Sequence, residues 1–301
     1  MKVLIAGGTG FIGTALCRHL AARGHEVLVL TRAPERRPRR EGIRYVAWEA
    51  EEWGRALSGT DAVVNLAGES IVSMRWTPAF KARIRDSRIA TTRRLVTAIE
   101  AASTRPRVLV NASAIGYYGA CQDQELTEGA PVGTGFLAET CRAWEAEAAR
   151  AECLGLRVVR LRIGPVLAPQ AVVFQKMMPP FQWYIGGPLG SGRQWMSWVH
   201  QDDVVGLAAW ILEHPALAGP VNVTAPRPVT MAEFCRVFGS VLHRPSWLPV
   251  PSVALRLLLG EQADMLLTGQ RVLPAAALRS GYAFRHTDLR AALDACLRRP
   301  R

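Results

Sequence analysis

Short apolar segments alternate with longer amphipathic segments along the first half of the chain, beginning at the N-terminus. Val3–Ala6 has the composition of a buried strand, Thr14–Arg23 follows a helical pattern, and Glu26–Leu30 is a second apolar strand. Strands that are apolar on both faces are typical of parallel sheets covered by helices on each side. The pattern therefore predicts an α/β fold.

The alternation continues to residue 165. It comprises four further strand patterns, one short helical pattern and two long ones: Ile43–Trp48, Glu51–Leu57, Asp61–Gly68, Ala79–Ala101, Arg107–Asn111, Leu137–Leu154 and Leu156–Ile163. Strand–helix–strand units of this kind are right-handed and build a doubly wound parallel sheet. We predict such a sheet within a first domain, residues 1–165.

The pattern becomes mainly helical after Gly164-Pro165. The helical segments are Gln170–Phe181, Asp203–Glu213, Thr230–Leu242, Ser252–Leu259, Gln262–Gln270 and Thr287–Leu297. We predict that residues 166–301 form a smaller, mainly helical C-terminal lobe that holds a substrate. Within this lobe, the segment 198–214 is expected to pack back on the first domain.

Glycines cluster between the first strand and the first helix, in the segment GGTGFIG, residues 7–13. The spacing fits G-x-G-x-x-G counted from Gly8 and G-x-x-G-x-x-G counted from Gly7. Glycines at such positions permit a tight turn, close approach of the backbone to a pyrophosphate, and close packing of helix on strand. The free N–H groups at the helix start then attract phosphate. We therefore predict a Rossmann dinucleotide-binding domain with this loop at the pyrophosphate.

The end of the second strand indicates which dinucleotide binds. NAD sites usually have Asp or Glu there, because a carboxylate binds the ribose 2′-hydroxyl. This chain has Thr31-Arg32 instead, and the planar guanidinium of Arg32 suits a 2′-phosphate. We predict NADP(H) as the cofactor in preference to NAD.

Two further segments are expected beside the cofactor. Leu66-Ala67-Gly68 follows a buried strand, and ligands of doubly wound sheets bind at the carboxyl ends of strands. Small residues at this place permit close approach to the adenosine and the pyrophosphate. Arg88 lies on the helix that follows, and we expect it to face the nucleotide more than the other basic residues of that helix.

Composition excludes several other classes of protein. The chain is 49% hydrophobic and 21% charged, which is typical of a globular protein. No apolar run approaches the ~20 residues that span a bilayer, and no secretory leader pattern precedes the first strand. The six cysteines are scattered without paired or metal-binding spacing. This predicts reduced thiols, no metal site and a cytoplasmic location.

The charge is strongly basic. The net charge is +12, and only three of the 37 basic residues are lysines. A basic cluster at residues 36–40 follows the second strand, beside the predicted 2′-phosphate site. A solvated loop is the simplest interpretation, and attraction of an anionic cofactor or substrate is the alternative. Because the cluster has no interleaved aromatic residues, we expect a small-molecule partner and not a nucleic acid.

Several motifs occur in the order and spacing of a known group of proteins. After the glycine loop come NLAGE at 65–69, SAIGYYG at 113–119 and GGPLGSGRQWMSWVH at 186–200. With these motifs nearly the whole chain resembles the extended short-chain dehydrogenase/reductase superfamily. More narrowly, it resembles an NAD(P)-dependent epimerase-like family of unknown substrate, sometimes labelled a cell-division inhibitor. The resemblance implies an NADP(H)-binding Rossmann domain with cofactor contacts at Gly7, Gly10, Phe11, Ile12, Thr31, Arg32, Leu66, Ala67 and Arg88; Thr9 and Gly68 complete the candidate set.

The chain departs from this superfamily at the catalytic positions. Active members use a Tyr with a Lys four residues later on the same helix face, where the Lys charge lowers the Tyr pKa. None of the five tyrosines has a lysine four positions on, and the corresponding helix reads FLAETC over 136–141. The superfamily's catalytic Ser or Thr falls on Ala114. Ser113, Tyr117 and Tyr118 remain as candidates, and the catalytic residues stay unassigned.

Two functions fit this sequence. The first is an NADP(H)-dependent oxidoreductase or epimerase that acts on an unknown small molecule in the cleft between the lobes. The second is an NADP(H)-binding regulator or scaffold without turnover. The intact cofactor half favours the first, and the missing Tyr–Lys pair favours the second.

Overall fold

A parallel sheet of seven strands forms the centre of the molecule. The computed structural model describes residues 1–48 and 52–297, so residues 49–51 and 298–301 of the two predicted domains lie outside it. The seven strands of the sheet are β1 (Lys2–Ala6), β2 (Glu26–Thr31), β3 (Ile43–Ala47), β4 (Ala62–Asn65), β5 (Val108–Ala114), β7 (Arg157–Ile163) and β11 (Gly219–Val223). Their spatial order is β11-β7-β5-β4-β1-β2-β3. The predicted doubly wound α/β Rossmann fold is confirmed.

Six short strands form two-stranded pairs outside the central sheet. They are β6 (Glu125–Leu126), β8 (Val166–Leu167), β9 (Trp195–Met196), β10 (Val199–His200), β12 (Val229–Thr230) and β13 (Arg271–Val272). The pairs are β10 with β8, β12 with β9 and β13 with β6. Each pair joins segments that are far apart in sequence.

The helices are α1 (Phe11–Ala22), α2 (Glu52–Leu57), α3 (Pro78–Ala101), α4 (Phe136–Ala149), α5 (Val172–Gln182), α6 (Gln201–Glu213), α7 (Met231–Leu242), α8 (Ser252–Leu259), α9 (Asp264–Leu267), α10 (Ala275–Arg279) and α11 (Leu289–Leu297). The start of α3 shows why helices begin where they do. Thr77 accepts a hydrogen bond from the Phe80 N–H, and Pro78 follows in the first turn. Among the described residues, no helix has the length and apolar character needed to cross a membrane.

Helices cover both faces of the sheet. On one face α1 and α6 pack against each other over buried side chains such as Val3, Leu16 and Leu207. On the other face α3 and α4 pack over Leu4, Leu95 and Leu109. Two-sided coverage explains why the central strands β1, β2 and β4 are mainly apolar.

The central sheet takes one strand from the C-terminal part of the chain. Strand β11 pairs in parallel with β7, and α6 packs on α1. The part of the C-terminal chain that packs on the first domain was expected to be the segment 198–214. In the structure this part extends to residue 223, the end of β11. The helices α5, α7 and α11 form a separate hydrophobic core, which includes Phe234, Phe238 and Leu293. The division of the chain into two domains at residue 165 stays a prediction.

Candidate cofactor and active site

The glycine loop between β1 and α1 is very tightly packed. Gly7 has φ +79°, and a Cβ there would lie 2.6 Å from the carbonyl carbon of Leu66. A Cβ on Gly13 would collide with the carbonyl oxygen of Gly7. Both positions therefore require glycine, which supports the spacing counted from Gly7. At the start of α1, Gly10 is the N-cap and supplies no side-chain cap, so the first N–H groups of the helix are available to a phosphate.

The predicted segment Leu66-Ala67-Gly68 lies against this loop, as the Gly7 contact shows. The Asn65 side chain accepts a hydrogen bond from the Ala67 N–H at 3.2 Å and so holds the turn after β4. A Cβ on Gly68 would lie 3.2 Å from Cζ of Arg88. The structure therefore brings Arg88 to the same edge of the sheet as the glycine loop.

Arg88 is a half-buried cation at this edge. Its guanidinium donates to the Ile84 carbonyl oxygen at 2.9 Å, and Cζ lies 5.2 Å from the centre of the Trp144 ring. Burial lowers the pKa of Arg88. Among the described residues no carboxylate forms an ion pair with it. The charge of Glu69 acts on Arg88 without forming an ion pair, so the guanidinium can still pair with a bound anion.

The region around the end of β2, where the sequence predicts the adenosine, is rich in arginine. Thr31 is buried at the end of β2, and the side chain of Arg32 is exposed beside it. A cavity of about 110 Å³ opens next to the glycine loop and is lined by Thr9, Arg18, Arg37 and Arg40 among others. No acidic side chain lines this cavity. A phosphate would therefore meet arginines and hydroxyl groups such as those of Thr9 and Thr14, and no negative charge.

Phe11 and Ile12 form the first turn of α1. Phe11 is 36% exposed, and its carbonyl oxygen accepts a hydrogen bond from the Gln201 amide at 3.2 Å. Ile12 is half-buried and packs on the core beneath α1. The structure thus places all eleven predicted cofactor residues along the carboxyl edge of β1, β2 and β4 or close to it. Their contacts with a cofactor stay a prediction.

The carboxyl ends of β5 and β7 carry a buried ionic network. Ser113 and Arg162 are neighbours in register, and Glu145 of α4 lies above both. Arg162 forms two hydrogen bonds with the Glu145 carboxylate, at 2.8 and 2.9 Å, and Ser113 donates to the same carboxylate at 2.7 Å. Burial alone would lower the pKa of Arg162, but the hydrogen bonds and charge of Glu145 raise it above its ordinary value. The hydroxyl of the predicted candidate Ser113 therefore donates its hydrogen bond to the Glu145 carboxylate.

The two tyrosines that follow β5 differ in accessibility. Tyr118 is 1% exposed, and burial raises its pKa. Its hydroxyl lies 2.7 Å from Oδ1 of Asn222 and accepts a hydrogen bond from Arg162 at 3.0 Å. Tyr117 is half-buried, and the Arg162 guanidinium lies 3.4 Å from its ring centre. Of the two, Tyr117 is thus the better placed to meet a substrate.

The segment 136–141, where the sequence comparison expects the superfamily's Tyr–Lys pair, forms the start of α4, with Phe136 in its first turn. Trp76 packs edge-on against the phenyl ring of Phe136, with centroids 5.2 Å apart. The ammonium group of Lys81 lies 4.7 Å from the ring centre and pairs with Glu261 at 2.7 Å. Thr140, one turn later, is buried. The start of α4 therefore meets an aromatic side chain, Trp76, and a lysine of α3, Lys81.

Sequence reasoning missed two parts of this site. The arginines of the cavity come from α1 and from the loop after β2, and only the loop arginines carried a signal, as the basic cluster 36–40. The pair Glu145–Arg162 was not predicted either. Its available signal was weak, because Arg162 is one of three arginines in β7, together with Arg157 and Arg160.

Comparison with known proteins places this arrangement in a family. A sequence profile of the NAD dependent epimerase/dehydratase family matches residues 3–224, and one of a domain of unknown function, DUF1731, matches residues 250–296. The chain therefore belongs to the NAD dependent epimerase/dehydratase family. The resemblance seen in the sequence motifs is confirmed.

Particular relatives cover the whole chain. The chloroplastic SDR39U1 homolog of Arabidopsis thaliana, an epimerase family protein, is 45% identical over 303 residues, which cover 99% of this chain and 87% of that protein. The crystal structure of the human epimerase family protein SDR39U1 (isoform 2) with NADPH is 37% identical, with a TM-score of 0.90 and coverage of 98% and 99%. A UDP-glucuronic acid 4-epimerase from Bacillus cereus, in complex with UDP-glucuronic acid and NAD, is only 16% identical. Its TM-score of 0.76, with 98% of each chain covered, shows a shared fold alone.

Proposed function

We propose that the chain is an NADP(H)-dependent oxidoreductase or epimerase that acts on a small molecule in the cleft between the sheet and the C-terminal lobe. The observation that carries the cofactor assignment is the arginine-lined cavity beside the glycine loop. A carboxylate at this place would repel a 2′-phosphate, and neither the end of β2 nor the cavity has one. The human relative with NADPH supports the same assignment.

In this proposal each group of residues has one role. The N–H groups at the start of α1 bind the pyrophosphate, with Gly7 allowing the close approach. Arg32, together with Arg18 and Arg37, binds the 2′-phosphate through charge-assisted hydrogen bonds. Leu66-Ala67-Gly68 covers the adenosine side, and Arg88 adds positive charge at the same edge. The free state of all six cysteines in the structure supports a cytoplasmic location as part of the proposal.

Replacing Arg32 by alanine is expected to weaken NADPH binding about 10- to 100-fold and to leave NADH binding unchanged. Loss of a hydrogen bond to a charged group costs about 1.5–3 kcal/mol, and only NADPH carries the phosphate. Isothermal titration of wild type and variant with both cofactors measures this. In the wild type, NADPH should also raise the melting temperature more than NADH does.

The matched control is Arg39→Ala, which removes the same charge from the same basic stretch. Arg39 is exposed, as Arg32 is, and neither side chain lines the cavity, but Arg39 lies seven positions beyond Arg32 and so away from the end of β2, where the 2′-phosphate is expected. Its variant should bind NADPH nearly as wild type does. Equal binding of NADPH and NADH by the wild type, or equal losses in the two variants, would contradict recognition of the phosphate by Arg32.

A specific observation favours the second function, an NADP(H)-binding regulator or scaffold. The segment 136–141 lacks the Tyr–Lys pair of the superfamily, its Ser or Thr falls on Ala114, and Tyr118 is buried. Proton transfer would then depend on Tyr117, Lys81 or the substrate itself. Open space beside the nicotinamide in an NADPH complex would support an enzyme, and a space filled by side chains such as Phe136 and Trp76 would support a binding protein.

A further inference from the structure

Two histidines and an aspartate meet at the N-terminus of α6, beside Gln201, whose amide donates to the Phe11 carbonyl oxygen. Nδ1 of His200 lies 3.5 Å from Oδ2 of Asp202, and Nε2 of His286 lies 3.4 Å from the same oxygen. The three candidate ligand atoms lie within 4.8 Å of one another. The spacing along the sequence gives no sign of this cluster, because His286 follows the other two by more than eighty residues.

The separations fit a coordinated metal ion. Ligands bound at about 2.0–2.1 Å around a tetrahedral ion lie about 3.4 Å apart. Both nitrogen-to-carboxylate distances match this value. The centroids of the His200 and His286 imidazole rings are 3.8 Å apart. A small rotation of His286 would therefore bring its Nε2 to the same distance from Nδ1 of His200.

The neighbouring residues hold the three ligands in place. Asp203, next to Asp202, accepts hydrogen bonds from the backbone N–H groups of Arg285 at 2.7 Å and His286 at 3.0 Å. This fixes the segment that carries His286 on the first turn of α6. The side chain of Asp202 remains 54% exposed and faces both imidazoles. The two aspartates thus differ in role, with Asp203 supporting the backbone and Asp202 presenting its carboxylate.

The state of His200 also suits a metal ligand. Its Nδ1 accepts a hydrogen bond from the backbone N–H of Asp202 at 3.1 Å, so this nitrogen carries no proton and its lone pair points at the start of α6. A metal ion would take over this lone pair at the expense of one hydrogen bond, which contributes about 1 kcal/mol. Metal binding to imidazole and carboxylate is much stronger than that.

We propose that His200, Asp202 and His286 form a binding site for a divalent transition-metal ion of the Zn²⁺ type. Two imidazoles with one carboxylate suit Zn²⁺ and its first-row neighbours, whereas Mg²⁺ and Ca²⁺ prefer all-oxygen sites. Three protein ligands leave one position for water. The ion would join the segment before α11 to α6, which contacts the start of α1 through Gln201 and Phe11. Its effect is therefore to fasten the C-terminal segment to the Rossmann sheet.

Titration of untagged, chelator-treated full-length protein with ZnCl₂ tests the site. Calorimetry should show one ion per chain, and Zn²⁺ should raise the melting temperature. His286→Gln and Asp202→Asn should each weaken binding at least about tenfold, since even loss of a residue that only supports a ligand costs 10- to 100-fold. Co²⁺ should give a ligand-field absorption spectrum in the wild type that both variants lose. An excess of Mg²⁺ should not displace Zn²⁺.

The control variant is His243→Asn, which removes an exposed histidine elsewhere and keeps a residue that tolerates its φ of +56°. It should bind Zn²⁺ as wild type does. The melting temperature of each variant without metal shows whether that variant is folded. If one of the two ligand variants does not fold, the other still tests the site. Undiminished one-to-one binding in both ligand variants, a loss in His243→Asn equal to theirs, or displacement by Mg²⁺ would overturn the proposal.

Discussion

Replacement of Glu145 by alanine is expected to lower the free energy of unfolding by about 3–5 kcal/mol. The variant leaves the Arg162 guanidinium, with a side-chain exposure of only 4%, without its carboxylate partner. It also removes the acceptor of Ser113. Removing one partner of a buried ion pair costs more than the pair contributes, because the other charge remains in a poorly solvated place. Urea unfolding followed by circular dichroism measures the change.

The control is Arg150→Ala, which breaks an ion pair with Glu147 near the end of the same helix. The Arg150 side chain is 50% exposed, so its loss should cost no more than about 1 kcal/mol. A cost for Glu145→Ala as small as that of Arg150→Ala would show that water solvates Arg162 in the folded protein.

Replacement of Gly7 by alanine is expected to abolish binding of NADPH and to destabilise the protein. A Cβ at this position needs the space of the Leu66 backbone, 2.6 Å away, so the turn after β4 must move from the glycine loop. The positive φ adds about 1–2 kcal/mol for any residue with a Cβ. Thermal unfolding with and without NADPH measures both effects.

Gly24→Ala separates the two costs. Gly24 has φ +78°, almost the same as Gly7, and a Cβ there would meet no atom within 4 Å. This variant should lose only the about 1–2 kcal/mol of backbone strain and should keep its full response to NADPH. If Gly7→Ala responded to NADPH as Gly24→Ala does, close approach at Gly7 would not matter for the cofactor.

The fold was predictable from the sequence because its signals are local. The apolar runs of β1, β2 and β5 mark strands that are buried on both faces, and the glycine spacing marks the turn into α1. The difference between the predicted and the observed start of α1 also has a local cause. The helix α1 begins at Phe11 and not at Thr14, because Gly10 serves as its N-cap without a side chain.

The candidate site was predictable only where one segment carries its chemistry. The glycine loop and Thr31-Arg32 are such segments. Arg18 joins the cavity across a helix and a loop, and Glu145 meets Arg162 across a helix and a strand. Such contacts depend on how elements pack, and a single sequence contains no periodicity that reports them. The proximity of His286 to Asp202 also depends on packing and could not be predicted from the sequence.

A crystal structure of the protein with NADPH tests the central claim most directly. The claim is that the glycine loop binds a dinucleotide whose 2′-phosphate is read by arginines. The account predicts the pyrophosphate at the N–H groups that begin α1, and the 2′-phosphate within hydrogen-bond distance of Arg32 and at least one of Arg18 and Arg37. A dinucleotide bound elsewhere, or a 2′-phosphate in open solvent away from these arginines, would contradict it.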